Sequence, residues 1–318
     1  MTQNIPFKMS FYKQRYKFIA FSSLLLLIGI ISAIVFGMKL DIQFKGGSIV
    51  KMSFAGDVDL SKAEEVVSNA IKKPVSMQII SSLESSSEKK VRSLVINVAD
   101  NQALKTEEQM AMTEALQKAF PSNNITWSEA SLVNPFIGQR TLTNGLLAVL
   151  VSSILIVLYV WIRFRTISGA SAGIFALIAL IHDVLIAFFA FVVFRFSLNE
   201  TVIAVVLSIL GWSVNDTIVI FDRIRENERL YGGKMTLPDL VDMSINQSFT
   251  RTLNTSICSF VAILMAFVFA KVYNLSSIVE FALPMMVGVI IGSYSSICLA
   301  TPLWTMFKTR GGRTGYEH

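Results

Sequence analysis

Long apolar runs separated by short polar stretches dominate this chain of 318 residues. An apolar helix needs about 20 residues to cross a membrane. Six runs reach that length, and they predict spans at 17–38, 140–162, 167–194, 200–222, 249–272 and 280–307. The pattern is typical of a polytopic α-helical membrane protein with six transmembrane helices.

A polar segment at 39–139, between the first two spans, has a different pattern. Alternating apolar residues predict strands at 44–54, 75–80, 91–98 and 125–133. Two helices are predicted between them, beginning at the capping boxes of Ser61 and Thr106. The order β-α-β-β-α-β predicts a ferredoxin-like α+β domain. We expect a binding or moving module here, since no nucleophile–base pair, metal-ligand spacing or phosphate loop stands out.

Composition agrees with a membrane protein, at 53% hydrophobic and only 16% charged residues. The net charge of +6 does not indicate nucleic-acid binding, because the basic residues lie in short clusters next to the predicted spans, where they set topology. The short basic clusters fall on one side of the six-span zigzag: 8–17, 163–165, 223–234 and 308–313. By the positive-inside rule, both termini (1–16 and 308–318) and the connection 223–248 are cytoplasmic, so the α+β domain lies outside.

Two opposite charges lie inside consecutive predicted spans. Asp216 interrupts span four and Arg251 lies just inside span five, at depths close enough to meet across neighbouring helices. Charge at membrane depth costs a few kcal/mol at least, so it usually has a partner or a function. The pair predicts either a proton-coupling site or a static ion pair between two helices. Asn215, Thr217, Asn254 and Thr255 are the candidate polar residues beside it.

Three further groups of residues are candidates for weaker roles. His182 and Asp183, in the middle of span three, either extend the polar path or form a packing pair. Asp222, Arg223 and Arg225 form a charged motif at the cytoplasmic surface. Gly288 and Gly292 place small residues on one face of span six, which favours close helix packing. No cofactor or metal site is expected.

Several stretches resemble the SecD/SecF protein-export family. They are Asp41–Gly47 (DIQFKGG), Gly211–Asn227 (GWSVNDTIVIFDRIREN), Ser244–Thr252 (SINQSFTRT) and Gly288–Ser296 (GVIIGSYSS). The resemblance runs nearly from end to end, and the short outer domain resembles the SecF branch rather than the SecD branch. This family is one half of the resistance–nodulation–division (RND) architecture, in which one span, an outer domain and five further spans form a unit.

The resemblance implies a function, a location and partners. It implies an accessory subunit of the Sec translocase in the bacterial inner membrane, which uses the proton motive force to promote export of unfolded polypeptides. SecD and the SecYEG channel are the implied partners, with membrane lipid around the spans and no nucleic acid. The resemblance also assigns the proton-driven function to Asp216 and Arg251. Two alternatives stay open: a half-size RND exporter of small molecules or lipids, and a non-transporting scaffold of a membrane complex.

Overall fold

Residues 9–41, 47–56, 58–73, 75–83, 90–99, 104–133, 135–164, 169–273 and 275–310 are described by a computed structural model of the chain. Six of its helices are long and apolar enough to cross a membrane. We name them span one to span six: Arg15–Phe36, Pro135–Arg163, Gly169–Val193, Glu200–Tyr231, Leu237–Val272 and Ser276–Arg310. The predicted six-span fold class is confirmed.

Span six is not one uninterrupted α-helix. It is α-helical over Ser276–Ser295, π-helical over Ser296–Ala300 and α-helical again over Thr301–Arg310. A π-helical turn inside an α-helix is rare and is frequently found at functional sites. All five residues of this turn are buried, so the interruption lies inside the bundle.

The predicted connection at 223–248 is mostly helical. The helix of span four continues to Tyr231 and that of span five begins at Leu237, which leaves 232–236 as the turn. The two helical extensions are joined by hydrogen bonds, because the amide of Asn227 donates to Ser244 Oγ and to Gln247 Oε1 at 2.8 Å each. Apolar length alone missed these polar helical turns.

The α+β domain between spans one and two, which we call the outer domain after its predicted location, is a four-stranded antiparallel sheet with two helices. Its strands are β1 Gly47–Phe54, β2 Val75–Leu83, β3 Lys90–Ala99 and β4 Thr126–Val133. Its helices are α1 Leu60–Ile71 and α2 Thr106–Ala119, followed by a 3₁₀ turn at Pro121–Asn123. The strand order β2-β3-β1-β4 is the ferredoxin-like order predicted from the sequence. Residues 44–46 of the first predicted strand lie outside the described residues.

The helix starts in the outer domain differ slightly from the predicted capping boxes. Helix α1 begins one residue before Ser61, and Asp59 Oδ1 accepts the N–H of Lys62. Helix α2 begins at Thr106, but Glu108 rather than Gln109 caps it, by accepting the N–H of Lys105 at 3.1 Å. Neighbouring side chains with acceptor oxygens, such as Glu108 and Gln109, can accept from the same unpaired N–H groups, so the sequence alone does not decide which of them caps the helix.

Alternation along the strands builds the core of this domain. Val50 and Met52 of β1 and Leu94 and Ile96 of β3 are fully buried, and they pack against Leu116 and other apolar residues of the two helices. Successive side chains of a strand point to opposite faces, so every second residue of β1 and β3 faces the helices. Hydrophobic burial on this one face of the sheet stabilises the domain.

A short segment before span one binds to the helix of span five. Asn246 pairs with the backbone of Met9 through two hydrogen bonds of 3.1 and 2.8 Å, and Asp242 accepts from Ser10 Oγ and from the N–H of Tyr12. Phe11 is buried between these polar contacts. The start of span one, which leads into the outer domain, is thereby fixed to the N-terminal part of the helix of span five.

Span six packs against spans three, four and five. Its two predicted packing glycines are both buried and face span four. A Cβ added at Gly288 would overlap the side chain of Ile209, and one added at Gly292 would come within 3.1 Å of Ser213 Cβ. The two glycines therefore allow spans four and six to approach closely.

We expect Gly288→Ala to destabilise the bundle by about 1–3 kcal/mol, the usual range for overpacking a filled core. Ile209 is 1% exposed and has little room to move away from the new methyl group. Gly173→Ala is the matched control, because a Cβ there meets its nearest atom at an ordinary 3.4 Å. Thermal unfolding of the two purified variants in detergent checks this. Equal stability of both variants would contradict the close approach at Gly288.

Candidate functional site

The carboxylate of Asp216 is buried where spans four, five and six meet. Only 1% of the residue is exposed. Its Oδ2 accepts hydrogen bonds from Ser293 Oγ of span six at 2.9 Å and from Ser256 Oγ of span five at 3.4 Å. These two serine hydroxyls also contact each other. One carboxylate and two hydroxyls thus form a small polar cluster, which we call the Asp216 cluster.

A second buried carboxylate, Asp183 of span three, lies on another side of span six. The residue is fully buried, and its Oδ2 accepts from Ser213 Oγ at 2.6 Å and from Ser295 Oγ at 2.7 Å. Its Oδ1 lies 3.0 Å from His182 Nδ1. The Asp183 cluster, formed by these four residues, therefore joins spans three, four and six.

The two clusters are neighbours in the bundle. Ser213 precedes Asp216 by about one helical turn in span four, and Ser293 and Ser295 are close neighbours in span six. Between the two helices, Thr217 Oγ1 and Ser296 Oγ are 2.8 Å apart, at the start of the π-helical turn. Spans four and six are consequently held together by a line of hydroxyl groups beside the two acids.

The structure of this chain does not bring Asp216 and Arg251 together. Among the described residues, the Arg251 side chain has no hydrogen-bond or ion-pair partner, and it is exposed on the outside of the bundle. The reason is helical phase: Arg251 lies about 140° around span five from Ser256, the residue that reaches Asp216. The two charges are therefore on different faces of the bundle, one inside and one outside.

The other predicted polar residues divide in the same way. Thr217, His182 and Asp183 are buried in the bundle, whereas Asn215 and Asn254 are exposed. Thr255 is half-buried, and its hydroxyl donates to the backbone oxygen of Arg251 at 2.9 Å. The structure therefore does not bring these six residues together as a single line of polar groups.

The charged motif predicted to lie at the cytoplasmic surface forms ion pairs within the chain. Asp222 accepts from Arg163 at 2.9 Å and from Arg225 at 2.5 Å, which ties the end of span two to span four. Arg223 donates to Gln247 Oε1 of span five at 2.7 Å. These contacts explain the motif as a structural junction of three spans.

Sequence reasoning missed the serines that surround both acids. Ser213, Ser256, Ser293 and Ser295 are all buried, and each bonds one of the two carboxylates. A serine inside an apolar span looks like a small packing residue, because its hydroxyl can bond the carbonyl one turn earlier in its own helix. The available signal was their concentration around Asp216 and in the stretch 288–296.

Two acid–hydroxyl clusters among spans three to six of a six-span chain, with a small α+β domain after the first span, define a polytopic membrane protein with a polar site inside its bundle. This is the arrangement of one half of a repeat-built transporter.

Comparison with known proteins identifies the family. Residues 111–310 match the family model for the protein export membrane protein SecD/SecF, C-terminal. Over 291 residues the chain is 34% identical to protein translocase subunit SecF of Sebaldella termitidis, covering 92% of this chain and 89% of that protein. It is also 31% identical to the SecF subunit of Petrotoga mobilis, over 92% of this chain and 94% of the other. The chain belongs to the SecD/SecF protein-export family.

Longer relatives show how this chain relates to a second half. It is 34% identical to protein translocase subunit SecDF of Brucella abortus, over 87% of this chain but only 34% of that protein. The crystal structure of SecDF from Thermus thermophilus, a translocon-associated membrane protein, matches 98% of this chain and 40% of its own, with a TM-score of 0.75 at 27% identity. This chain therefore corresponds to part of the length of these longer relatives. It is an accessory subunit of the Sec translocase.

Proposed function

We propose that this chain uses the proton motive force, together with a SecD half, to promote export of unfolded polypeptides across the bacterial inner membrane. The observation that carries the proposal is the Asp216 cluster. A hydroxyl can donate or accept a hydrogen bond, so two serines can accommodate the carboxyl group with or without its proton. An ionisable residue inside a membrane bundle is by default a candidate for coupling to ion movement.

The outside of the bundle supports a second half as partner. Asn215 of span four and Arg251 and Asn254 of span five are exposed at membrane depth, where lipid is an unfavourable neighbour. A partner helix with a carboxylate at the depth of Arg251 would complete this surface. In the fused relatives, both halves are part of one protein. SecD is therefore the proposed partner, the SecYEG channel the wider one, and lipid covers the apolar exposed residues of span one.

The outer domain is the part proposed to respond to the exported chain. Gln78 of β2 lies at hydrogen-bond distance from Glu280, near the start of span six, and Glu280 also accepts from Asn199, just before span four. The bridge between Leu40 and Leu198 adds a backbone connection beside them. Through these contacts, a movement of the outer domain would shift the start of span six, and with it Ser293 further along the same span.

An export assay tests the proposed function. Inverted inner-membrane vesicles that contain the complete translocase are loaded with a preprotein until ATP-dependent movement stops. A proton gradient is then imposed, with or without an uncoupler. We expect the gradient to drive further movement only in vesicles that contain this chain and its SecD partner. Movement that depends on the chain but not on the uncoupler would contradict proton coupling and favour a scaffold.

Cysteine labelling tests the proposed orientation. Met110 of the outer domain is 63% exposed, and Lys234 lies exposed in the turn between spans four and five. In a chain without Cys258 and Cys298, we expect Met110→Cys to react with a membrane-impermeant maleimide in intact spheroplasts. Lys234→Cys is the matched control and should react only after the membrane is opened. The reverse pattern would place the outer domain in the cytoplasm and exclude a role in export.

A further inference from the structure

Span six provides hydrogen-bond donors to both buried acids. Ser293 bonds Asp216 and Ser295 bonds Asp183. Two residues apart on a helix correspond to about 200° around its axis, so the two hydroxyls point to opposite sides. Span six is therefore held between the two carboxylates, and a movement at one side changes the geometry at the other.

The serine hydrogen bonds to Asp183 are shorter than those to Asp216. The two bonds to Asp183 measure 2.6 and 2.7 Å, against 2.9 and 3.4 Å for the two bonds to Asp216. Hydrogen bonds to a carboxylate are strengthened in a buried site, where the effective dielectric constant is low. We therefore expect Asp183 to fix the relative positions of the three helices that it joins.

The regular helical structure of span six does not by itself fix the position of the segment near Ser293. The π-helical turn begins at Ser296, directly after Ser295, and interrupts the α-helical hydrogen-bond pattern there. Gly292, which faces Ser213 on the other side, provides no side chain to set the spacing of spans four and six. The position of Ser293 along and around its axis therefore depends on the local contacts of its neighbours.

We propose that Asp183 is a positioning residue for the Asp216 cluster, which acts through Ser213 and Ser295 to set the placement of Asp216 and Ser293. Asp183 contacts neither of these two residues. Ser213 fixes span four about one turn from Asp216, and Ser295 fixes span six beside Ser293. Of the two acids, Ser213 and Ser295 bond only Asp183, whereas Ser256 and Ser293 bond only Asp216. Asp183 therefore affects the Asp216 cluster by fixing the positions of spans four and six. The importance of this positioning role for export rests on the proposed function of Asp216, whereas the positioning role itself does not.

A hydroxyl-deletion series tests the proposal. Dicyclohexylcarbodiimide is an apolar reagent that modifies protonated carboxyl groups, and peptide mass spectrometry reports its reaction at Asp216. The labelling rate is measured against pH for the full chain in membranes that also contain its SecD partner. The hydrogen bonds to Asp183 are removed one at a time by Ser213→Ala and Ser295→Ala, and together by the double variant. Ser293→Ala is the positive control, and Ser244→Ala, which removes a buried hydroxyl of span five bonded to Asn227, is the negative control.

We expect both the double variant and Ser293→Ala to move the midpoint of the Asp216 labelling profile by at least about half a pH unit. Each single variant should produce part of that shift, and Ser244→Ala should leave the midpoint unchanged. A double variant that matches Ser244→Ala while Ser293→Ala shifts the midpoint overturns the proposal. If Asp216 is not labelled in the parent chain, the midpoint is taken from the pH profile of gradient-driven export. A labelling shift without gradient-dependent export would contradict the proposed function and leave the positioning role supported.

Discussion

Asp216→Asn is expected to leave the chain assembled in the membrane and to abolish the gradient-dependent part of export. Asparagine has nearly the same shape and keeps one oxygen that accepts from Ser256 and Ser293, so the packing of spans four, five and six should hold. It cannot bind or release a proton at neutral pH. Export by the variant with a gradient should fall to the rate that the parent chain shows with an uncoupler.

The matched control is Asp222→Asn, at the end of the same membrane segment. Its side chain is 42% exposed and pairs with Arg163 and Arg225 near the surface, where an ion pair contributes about 1 kcal/mol or less. This control should assemble and respond to the gradient like the parent chain. A normal gradient response by Asp216→Asn would reduce the Asp216 cluster to a structural contact between helices. Loss of response in both variants would point to a shared folding defect.

The fold could be predicted because its signals are local and repeated. Each span has an apolar run longer than the membrane requires, and the strands of the outer domain alternate with a period of two. The pattern around Val50 and Met52, for example, assigns β1 and its buried face together. Strand order followed from the β-α-β-β-α-β sequence, for which the ferredoxin-like order β2-β3-β1-β4 is the known solution.

The candidate site could be predicted only in part, because depth in the membrane and direction around a helix are different quantities. The rise of a helix places Asp216 and Arg251 at similar depths from sequence alone. Which neighbour a side chain faces depends on how the helices are rotated against one another. In this structure the rotation of span five turns Ser256 rather than Arg251 toward Asp216.

Arg251 is expected to matter for assembly with the second half rather than for the fold of this chain. It is exposed, and among the described residues no side chain pairs with it. We therefore expect Arg251→Leu to leave the thermal unfolding of the isolated chain unchanged. In the complex, the carboxylate proposed on the partner would be left unpaired, which costs about 3–5 kcal/mol in a dry site. The measurement is the amount of SecD that copurifies with each variant.

Two further variants separate the possible causes. Asn254→Leu changes an exposed polar residue about one turn away without removing a charge, so copurification should fall much less. The exchange Asp216→Arg with Arg251→Asp should rescue nothing, because the two residues lie on different faces of the bundle. Full rescue by the exchange would show that the pair meets in the assembled complex. Loss of stability in the isolated Arg251→Leu chain would instead show that Arg251 has a partner within this chain. The exposed Arg251 would then no longer indicate a carboxylate on SecD.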